Sequence, residues 1–197
     1  MDECHGPSVT VLDGVCRGIP HMGTARVLEP GCGDGRLARD FSSKKWDAVD
    51  MFDRCQLSIN SVLDWKEEVP AIKRCECSSM ASFRSKEPYD AILMRWVCGY
   101  LRKRELTQQL AAWKNMLRKQ SVIRTGTNGH TPYVIIMENV SSNDKEYTNK
   151  GQRVRTEAKL EAVFKKAGYR IVKKTARHEL VKGWEPTMVW VLTPIKK

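Results

Sequence analysis

The feature that most constrains the fold is a glycine-rich turn directly after a short apolar run. The run spans 25–28, and the turn, EPGCGDGR, spans 29–36. Glycine backbones adopt positive φ and allow close approach to a ligand, and residues 37–41 then have the pattern of a helix. A strand, a glycine-rich turn and a helix in this order are the context in which such a turn binds a nucleotide.

The charges of the turn narrow the choice of ligand. Glu29 and Asp34 would repel a phosphate, but they suit a cationic ligand. S-Adenosylmethionine carries both an ammonium and a sulfonium group, and Arg36 is placed to pair with its carboxylate. The turn therefore predicts a site for S-adenosylmethionine, with Glu29 and Arg36 among its binding residues.

Two later stretches support the same ligand. The stretch VDMFD at 49–53 ends the next predicted strand. An acid there accepts hydrogen bonds from both ribose hydroxyls in the dinucleotide folds. Asp53 is the predicted ribose ligand, with Asp50 in reserve. The third stretch, YDAILMRW at 89–96, supplies the strand before the reaction centre.

The order of the predicted elements defines the fold class. Strands alternate with helices, and apolar residues recur at helical spacing within 102–119. This alternation predicts an α/β, Rossmann-like, doubly wound and mostly parallel sheet, completed by a C-terminal antiparallel strand pair. The predicted strands are 25–28, 46–51, 72–75, 89–94, 133–137, 169–175 and 186–192, and the predicted helices are 37–41, 56–65, 102–119 and 156–167.

A length of 197 residues suits a single domain. Residues 1–24 contain Gly and Pro and are weakly periodic, which predicts an irregular arm before a domain of residues 25–197. No apolar run approaches the roughly 18 residues of a membrane span. The seven cysteines, an odd number without a CxxC pair, indicate reduced thiols and no metal site. They favour an intracellular protein, cytoplasmic or nuclear.

The chain is strongly basic. Lys and Arg number 34 against 23 for Asp and Glu, which gives a formal charge of +11. Such an excess favours contact with anionic surfaces, chiefly nucleic acid, through counterion release. RNA or ribonucleoprotein contact therefore stands open beside simple solubility.

Together, these stretches resemble those of the protein α-N-terminal methyltransferases. This family methylates the amino group of proteins that begin X-Pro-Lys or X-Pro-Arg, and the similarity runs over nearly the whole chain. It rests on VDMFD at 49–53, WVCGYL at 96–101, Glu138-Asn139 after the fifth strand, Arg155, and FKKAGY at 164–169. TVLDG at 10–14 is similar to the family's arm over the cofactor.

On the cofactor side, the resemblance implies roles for single residues. Gly31, Gly33 and Arg36 would hold the methionine part, Asp53 the ribose, and Met80 the adenine.

On the substrate side, Trp96 would pack near the first residues of the peptide, beside the cofactor. Asn139 would bind the peptide backbone, and Glu138 would support that site as an acid. An α-amine has a pKa near 8, so a modest fraction is already neutral and a weak base suffices. Tyr100, Glu138 and Asn139 are the predicted catalytic residues.

The chain departs from the family pattern at several positions. Tyr100 stands where the family has a His near the amine. The stretch 147–152 stands where the family places substrate-binding acids, and Lys150 falls at or near one of these positions, so Lys150 is counted among the predicted substrate-binding residues. Ala81 replaces an amide expected to touch adenine, and about a helix length is missing between the arm and the first strand. Asp144 and Glu146 would compensate for the lost acids if the loop is shifted.

Three functions therefore stand open. The first is methylation of protein α-amines. The second is a nucleic-acid methyltransferase, which the charge favours, although residues 95–98 lack the Asp/Asn-Pro-Pro-aromatic turn of enzymes that methylate base amines. The third is a non-catalytic methyltransferase-fold subunit of an RNA–protein assembly.

Overall fold

A seven-stranded sheet forms the centre of the computed structural model, which describes residues 3–17, 19, 26–118, 131–143 and 145–195. Its strands are β1 (Arg26–Pro30), β2 (Ala48–Asp53), β3 (Ile72–Cys77), β4 (Ala91–Arg95), β5 (Tyr133–Asn139), β8 (Tyr169–Lys174) and β9 (Thr187–Pro194). Their order across the sheet is β3-β2-β1-β4-β5-β9-β8. The first five strands in this order are parallel, and β9 runs antiparallel to both of its neighbours. The predicted fold class and the terminal antiparallel pair are confirmed.

The strand order places a site at one edge of this sheet. The chain runs outward from β1 through β2 to β3 and then returns to pair β4 with the other side of β1. In open α/β sheets, ligands bind outside the carboxyl ends of the strands where the order switches in this way. The carboxyl ends of β1, β2 and β4 are therefore the expected position of the ligand.

Helices cover both faces of the sheet. On one face lie α1 (His5–Cys16), α2 (Ser43–Lys45) and α3 (Gln56–Leu63), and on the other α4 (Lys103–Trp113) and α5 (Glu157–Lys166). Trp46 is buried on the first face, and Trp113 and Phe164 on the second. The two apolar layers account for the runs of apolar residues in the central strands, which are buried on both sides.

The N-terminal segment differs from the prediction. Residues 5–16 of the predicted irregular arm form helix α1, and Leu12, Val15 and Cys16 are buried against the sheet. Gly6 and Gly14 lower the intrinsic helix propensity of this segment, so the burial of its apolar side stabilises the helix. The stretch 10–14 therefore packs on the sheet, and within α1 it is His5 that reaches the cavity described below.

Two further segments differ from their predicted form. Helix α4 ends at Trp113, short of the predicted 119, because the chain turns and Leu117 pairs with Tyr89, just before β4. The charged connection after β5 contains a hairpin of β6 (Tyr147–Asn149) and β7 (Gln152–Val154). Asp144, the proposed compensating acid, lies outside the described residues.

The predicted helix at 156–167 is confirmed as α5 with its expected ends. The Thr156 hydroxyl accepts a hydrogen bond from the Lys159 backbone N–H at 3.3 Å, which caps the helix. Gly168 follows with φ +80°, the left-handed conformation typical of a helix C-terminus. No helix in the described part of the chain has the length and apolarity to cross a membrane.

Candidate active site

A cavity of about 1000 Å³ opens at the carboxyl ends of β1, β2 and β4. It is lined by the glycine-rich turn, by the loop after β3, and by one face of α4. The predicted catalytic residue Tyr100 lines the cavity. The residues predicted to bind the cofactor all line it as well, namely Glu29, Gly31, Gly33, Arg36, Asp53, Met80 and Trp96.

The glycine-rich turn has a backbone that other residues adopt with strain. Gly31, Gly33 and Gly35 have φ values of +70°, +56° and +74°. The Gly31 N–H donates to the Phe52 carbonyl at 2.8 Å, which fastens the turn to β2. A Cβ atom on Gly31 would lie 2.8 Å from a methyl carbon of Val97, closer than side chains pack. Glycine is therefore required at Gly31 by both conformation and space.

Asp53 and Asp50 have different roles. The Asp53 carboxylate accepts hydrogen bonds from the Gly33 N–H at 3.0 Å and the Cys55 N–H at 2.9 Å, so it lies beside the glycine-rich turn. Asp50 is fully buried and accepts from Arg26 at 2.6 Å and from the Tyr89 hydroxyl at 2.7 Å. Asp53 is thus placed to bind a ribose, whereas the reserve candidate Asp50 is a structural acid.

Glu29 lies buried beneath the turn and accepts a hydrogen bond from the Ser42 hydroxyl. Burial raises the pKa of Glu29 to about 7, although Ser42 and the Arg95 charge act against this shift. Burial likewise lowers the pKa of Arg95. The floor of the cavity therefore holds an acid whose charge changes near neutral pH.

We expect this acid to make stability depend on pH. The folded protein holds the Glu29 proton more tightly than the unfolded chain does, whose pKa is the ordinary 4.5. The resulting stabilisation is complete below the unfolded pKa and is lost as the pH rises through about 7. Urea unfolding of cofactor-free protein should show a free energy that falls with pH across this window, by up to about 1.4 kcal/mol per pH unit from this group.

Glu29→Gln should remove that part of the pH dependence. Glu138 has a raised pKa of about 7 from burial as well, so Glu138→Gln should remove a second part and the double variant should show the flattest profile. An unchanged slope in Glu29→Gln would show that this carboxyl is already ionised in the folded protein.

Arg95 and His5 are among the cavity residues that the sequence did not predict, and they are bonded to each other. An Arg95 Nη1–H donates to His5 Nδ1 at 3.0 Å and to the Ser8 hydroxyl at 3.1 Å. His5 Nε2 lies 2.8 Å from the Asp40 carboxylate. Since Nδ1 accepts from an arginine, the histidine proton is on Nε2 and is donated to Asp40. The position of Arg95 at the end of β4 was a signal for its role, whereas His5 was hidden in the segment interpreted as irregular.

Trp96 follows Arg95 with a strained backbone, at φ +55°. A bulky residue in this region is an outlier whose cost the surrounding structure must offset. The Arg95 guanidinium stacks over the indole at 4.9 Å, and the buried Trp96 Nε1 has no hydrogen-bond partner among the described residues. The indole is thus held in one place at the cavity wall, with a donor left to be satisfied.

Arg36 is only partly available for a ligand. Its Nε donates to the Asp34 carboxylate at 2.7 Å. The guanidinium lines the cavity, but it would have to share its donors between Asp34 and a bound carboxylate.

The remaining predicted substrate residues do not line the cavity. The Glu138 carboxylate is buried and accepts from the Gly99 N–H at 3.2 Å and the Asn139 N–H at 3.1 Å. The Asn139 amide oxygen accepts from the Thr187 hydroxyl at 2.7 Å. Lys150 is exposed at the tip of the β6–β7 hairpin. Of these three residues, Glu138 is the one tied to the cavity mouth, through the backbone of Gly99.

Arg155 has a structural role that residue patterns alone do not reveal. Its side chain is 3% exposed and donates to the carbonyls of Cys98 at 2.8 Å and Leu101 at 2.5 Å. The Cys98 carbonyl begins the 3₁₀ turn Cys98–Tyr100, and the Leu101 carbonyl directly follows it. The Glu138 carboxylate accepts a hydrogen bond from the backbone N–H of Gly99 in the same turn. Arg155 and Glu138 thus fix the position of Tyr100 at the cavity mouth.

The residues present fit S-adenosylmethionine. The glycine-rich turn leaves open space where side chains would stand at Gly33, Asp53 lies beside it, and the buried Trp96 donor is unpartnered. The acid beneath the turn, Glu29, suits a cation, and Arg36 and Arg95 suit a carboxylate. The fold and this cavity are those of the class of S-adenosylmethionine-dependent methyltransferases.

Within that class, the chain belongs to the family described as AdoMet-dependent proline di-methyltransferase, whose model matches residues 16–193. It is similar to α N-terminal protein methyltransferase 1 of Drosophila melanogaster, at 24% identity over 189 residues. That match covers 92% of this chain and 64% of the fly protein. The predicted family and cofactor are confirmed.

Solved structures show the same fold. A SAM-dependent methyltransferase from Leishmania major has a TM-score of 0.84 at 20% identity, covering 98% of this chain and 74% of that one. The N-methyltransferase NodS from Bradyrhizobium japonicum has a TM-score of 0.75 at 12% identity, covering 98% of this chain and 97% of its own.

Proposed function

We propose that this chain methylates the α-amino group of a protein N-terminus, with S-adenosylmethionine as the methyl donor. One observation carries the proposal beyond family membership. A single cavity runs from the glycine-rich turn past Trp96 to Tyr100 and Leu101, so the cofactor side and the open mouth share one enclosure. The name of the fly relative supports a protein N-terminus as the substrate.

The chain's own residues mainly orient the two reactants. When bound, the cofactor supplies an electrophilic methyl group on its sulfonium. Asp53 and the glycine-rich turn would hold the ribose and the methionine part, and Met80 would pack on the adenine. Because transfer requires an in-line approach, holding the reactants in place supplies much of the rate. Trp96, fixed by its backbone and by Arg95, lines the same cavity and would pack beside both reactants.

At the mouth, Tyr100 is the side chain we assign to the amine. It is 53% exposed and lines the cavity, so its hydroxyl is accessible to a peptide N-terminus. The amine needs only a weak base because its pKa is close to neutral. Glu138 and Arg155 act through the backbone of the Cys98–Tyr100 turn, and we assign them as positioning residues. The free thiols support placing this reaction in a reducing compartment, cytoplasmic or nuclear.

The proposal is tested by blocking the amine. With labelled cofactor, peptides that begin X-Pro and carry a free N-terminus should become methylated, and their Nα-acetylated twins should not. The label should be found on the first residue by fragmentation mass spectrometry. Label on an internal lysine or on RNA would contradict the proposal. Cofactor binding without transfer to any acceptor would favour the non-catalytic subunit.

A further inference from the structure

Basic side chains lie on the two segments next to Tyr100 at the mouth of the cavity, and we call this set the basic rim. Three lie at the start of α4 and three on the segment that contains the β6–β7 hairpin, and all six are exposed. The members of the basic rim are Arg102, Lys103, Arg104, Lys145, Lys150 and Arg153.

Both halves of the basic rim are attached to the same turn. A Cβ atom on Gly99 would lie 3.2 Å from the Arg153 carbonyl, so β7 packs directly on the Cys98–Tyr100 turn. Two residues after Tyr100, Arg102 begins the other half at the N-terminus of α4. Tyr100 therefore stands between the two halves.

The acids near the basic rim are already engaged. Glu105 accepts from the Arg102 backbone N–H at 2.7 Å and from its guanidinium at 2.9 Å. Glu146 pairs with Lys159 at 2.6 Å, and Glu185 accepts from the Tyr147 hydroxyl.

Most of the rim cations are left unpaired. Among residues 3–17, 19, 26–118, 131–143 and 145–195, none makes an ion pair with Lys103, Arg104, Lys145, Lys150 or Arg153. The pKa of Glu105 is lowered chiefly by its hydrogen bond from the Arg102 backbone and in smaller part by the Arg153 charge, so the repulsion among these cations is balanced only in part within the described part of the chain.

At two places, the N-terminus of α4 and Lys150, the backbone makes a basic side chain unfavourable for stability. Cations at the N-terminus of α4 oppose the helix dipole. Lys150 has φ +46°, a conformation that Gly or Asn adopts at lower cost. Selection for local stability would not place these side chains here, whereas an anionic partner would stabilise all of them together.

We propose that the basic rim binds acidic residues that follow the N-terminus of the substrate polypeptide, so that the substrate begins X-Pro followed by Asp or Glu. This inference rests on the proposed function and changes its substrate class. A Lys or Arg at the third position, as the resemblance implies, would meet a ring of like charges. Acidic side chains would pair with Lys150 and Arg153 while the amine enters beside Tyr100.

The geometry favours a polypeptide over a nucleic acid. Surfaces that bind single-stranded nucleic acid interleave several exposed aromatic rings with basic residues. At this mouth, the residues that the structure describes supply one strongly exposed ring, Tyr100.

The test measures binding and transfer separately. Fluorescence anisotropy on protein saturated with S-adenosylhomocysteine would compare three labelled peptides of equal length, each with a free X-Pro start. They carry Glu and Asp, Gln and Asn, or Lys and Arg after the proline. We expect the acidic peptide to bind about tenfold or more tightly than the neutral one, with a difference that shrinks as salt rises. The Lys/Arg peptide should bind most weakly.

Charge reversal gives the matched control. Lys150→Glu with Arg153→Glu should invert the order of the three peptides, whereas Lys182→Glu, an exposed residue outside the cavity and the basic rim, should leave it unchanged. S-Adenosylhomocysteine affinity of the double variant shows that the fold is intact.

The outcomes separate this inference from the proposed function. Acidic peptides that bind but are not methylated would leave the inference standing and remove the function. Methylation with a wild-type preference for the Lys/Arg peptide would remove the inference and keep the function. A single-stranded RNA oligonucleotide that binds the rim more tightly than the acidic peptide would overturn the inference.

Discussion

Asp53→Asn is expected to weaken the binding of S-adenosylhomocysteine by about a hundredfold while leaving the protein folded. The carboxylate accepts from the Gly33 and Cys55 N–H groups and faces the cavity. Hydrogen bonds to a charged acceptor contribute about 1.5–3 kcal/mol each, and Asn loses both the charge and one acceptor. Isothermal titration calorimetry measures the affinity, and thermal unfolding confirms the fold.

Asp50→Asn supplies the matched control because the two acids lie on the same strand. Asp50 is buried with Arg26 and Tyr89, away from the cavity. Its replacement should lower the free energy of unfolding by about 3–5 kcal/mol, the usual cost of breaking a buried ion pair, without changing the affinity of the folded protein. The ribose assignment fails if Asp53→Asn binds as wild type or if the two variants behave alike.

Arg155→Met is expected to lower the free energy of unfolding by a similar amount, about 3–5 kcal/mol. The buried guanidinium donates to the Cys98 and Leu101 carbonyls, and its charge lies near the carboxyl of Glu138. Methionine fills much of the same space but leaves both carbonyls without donors. Urea unfolding measures the effect, and the exposed neighbour Arg153→Met should change the free energy by about 0.5 kcal/mol or less.

Binding of the cofactor product and binding of the proposed peptide substrate should respond differently to Arg155→Met. Affinity for S-adenosylhomocysteine should remain close to wild type, since the guanidinium contacts the Cys98–Tyr100 turn rather than the glycine-rich turn. Binding of the N-terminal peptide should weaken because Tyr100 loses its fixed position. A variant with unchanged stability would show that the Arg155 hydrogen bonds are replaced by water.

The cofactor side of the site was predictable because its chemistry is local in sequence. The glycine-rich turn, the acid at Asp53 and the alternating elements each occupy a short stretch with a recognisable pattern. The same local reasoning chose Asp53 and kept Asp50 in reserve. Only the pleat of β2, which buries Asp50 within the sheet, separates them.

The remaining features depend on contacts between distant parts of the chain. Helix α1 contains two glycines, and its identity as a helix depends on burial against the sheet. The bond between His5 and Arg95 spans 90 positions, and that of Arg155 with Cys98 spans 57. No periodicity or short motif encodes such pairs. For this reason the sequence did not predict His5 as a cavity residue or Arg155 as the residue that holds the turn of Tyr100.

The left-handed backbone at Trp96 has a consequence for engineering. Glycine at that position would relieve the strain and make the chain easier to fold, so a screen that rewards yield or heat resistance should enrich replacements there. The same replacements would remove the indole from the cavity wall, where the proposed reaction needs it. Stabilised variants of this protein are therefore best sought with position 96 held constant.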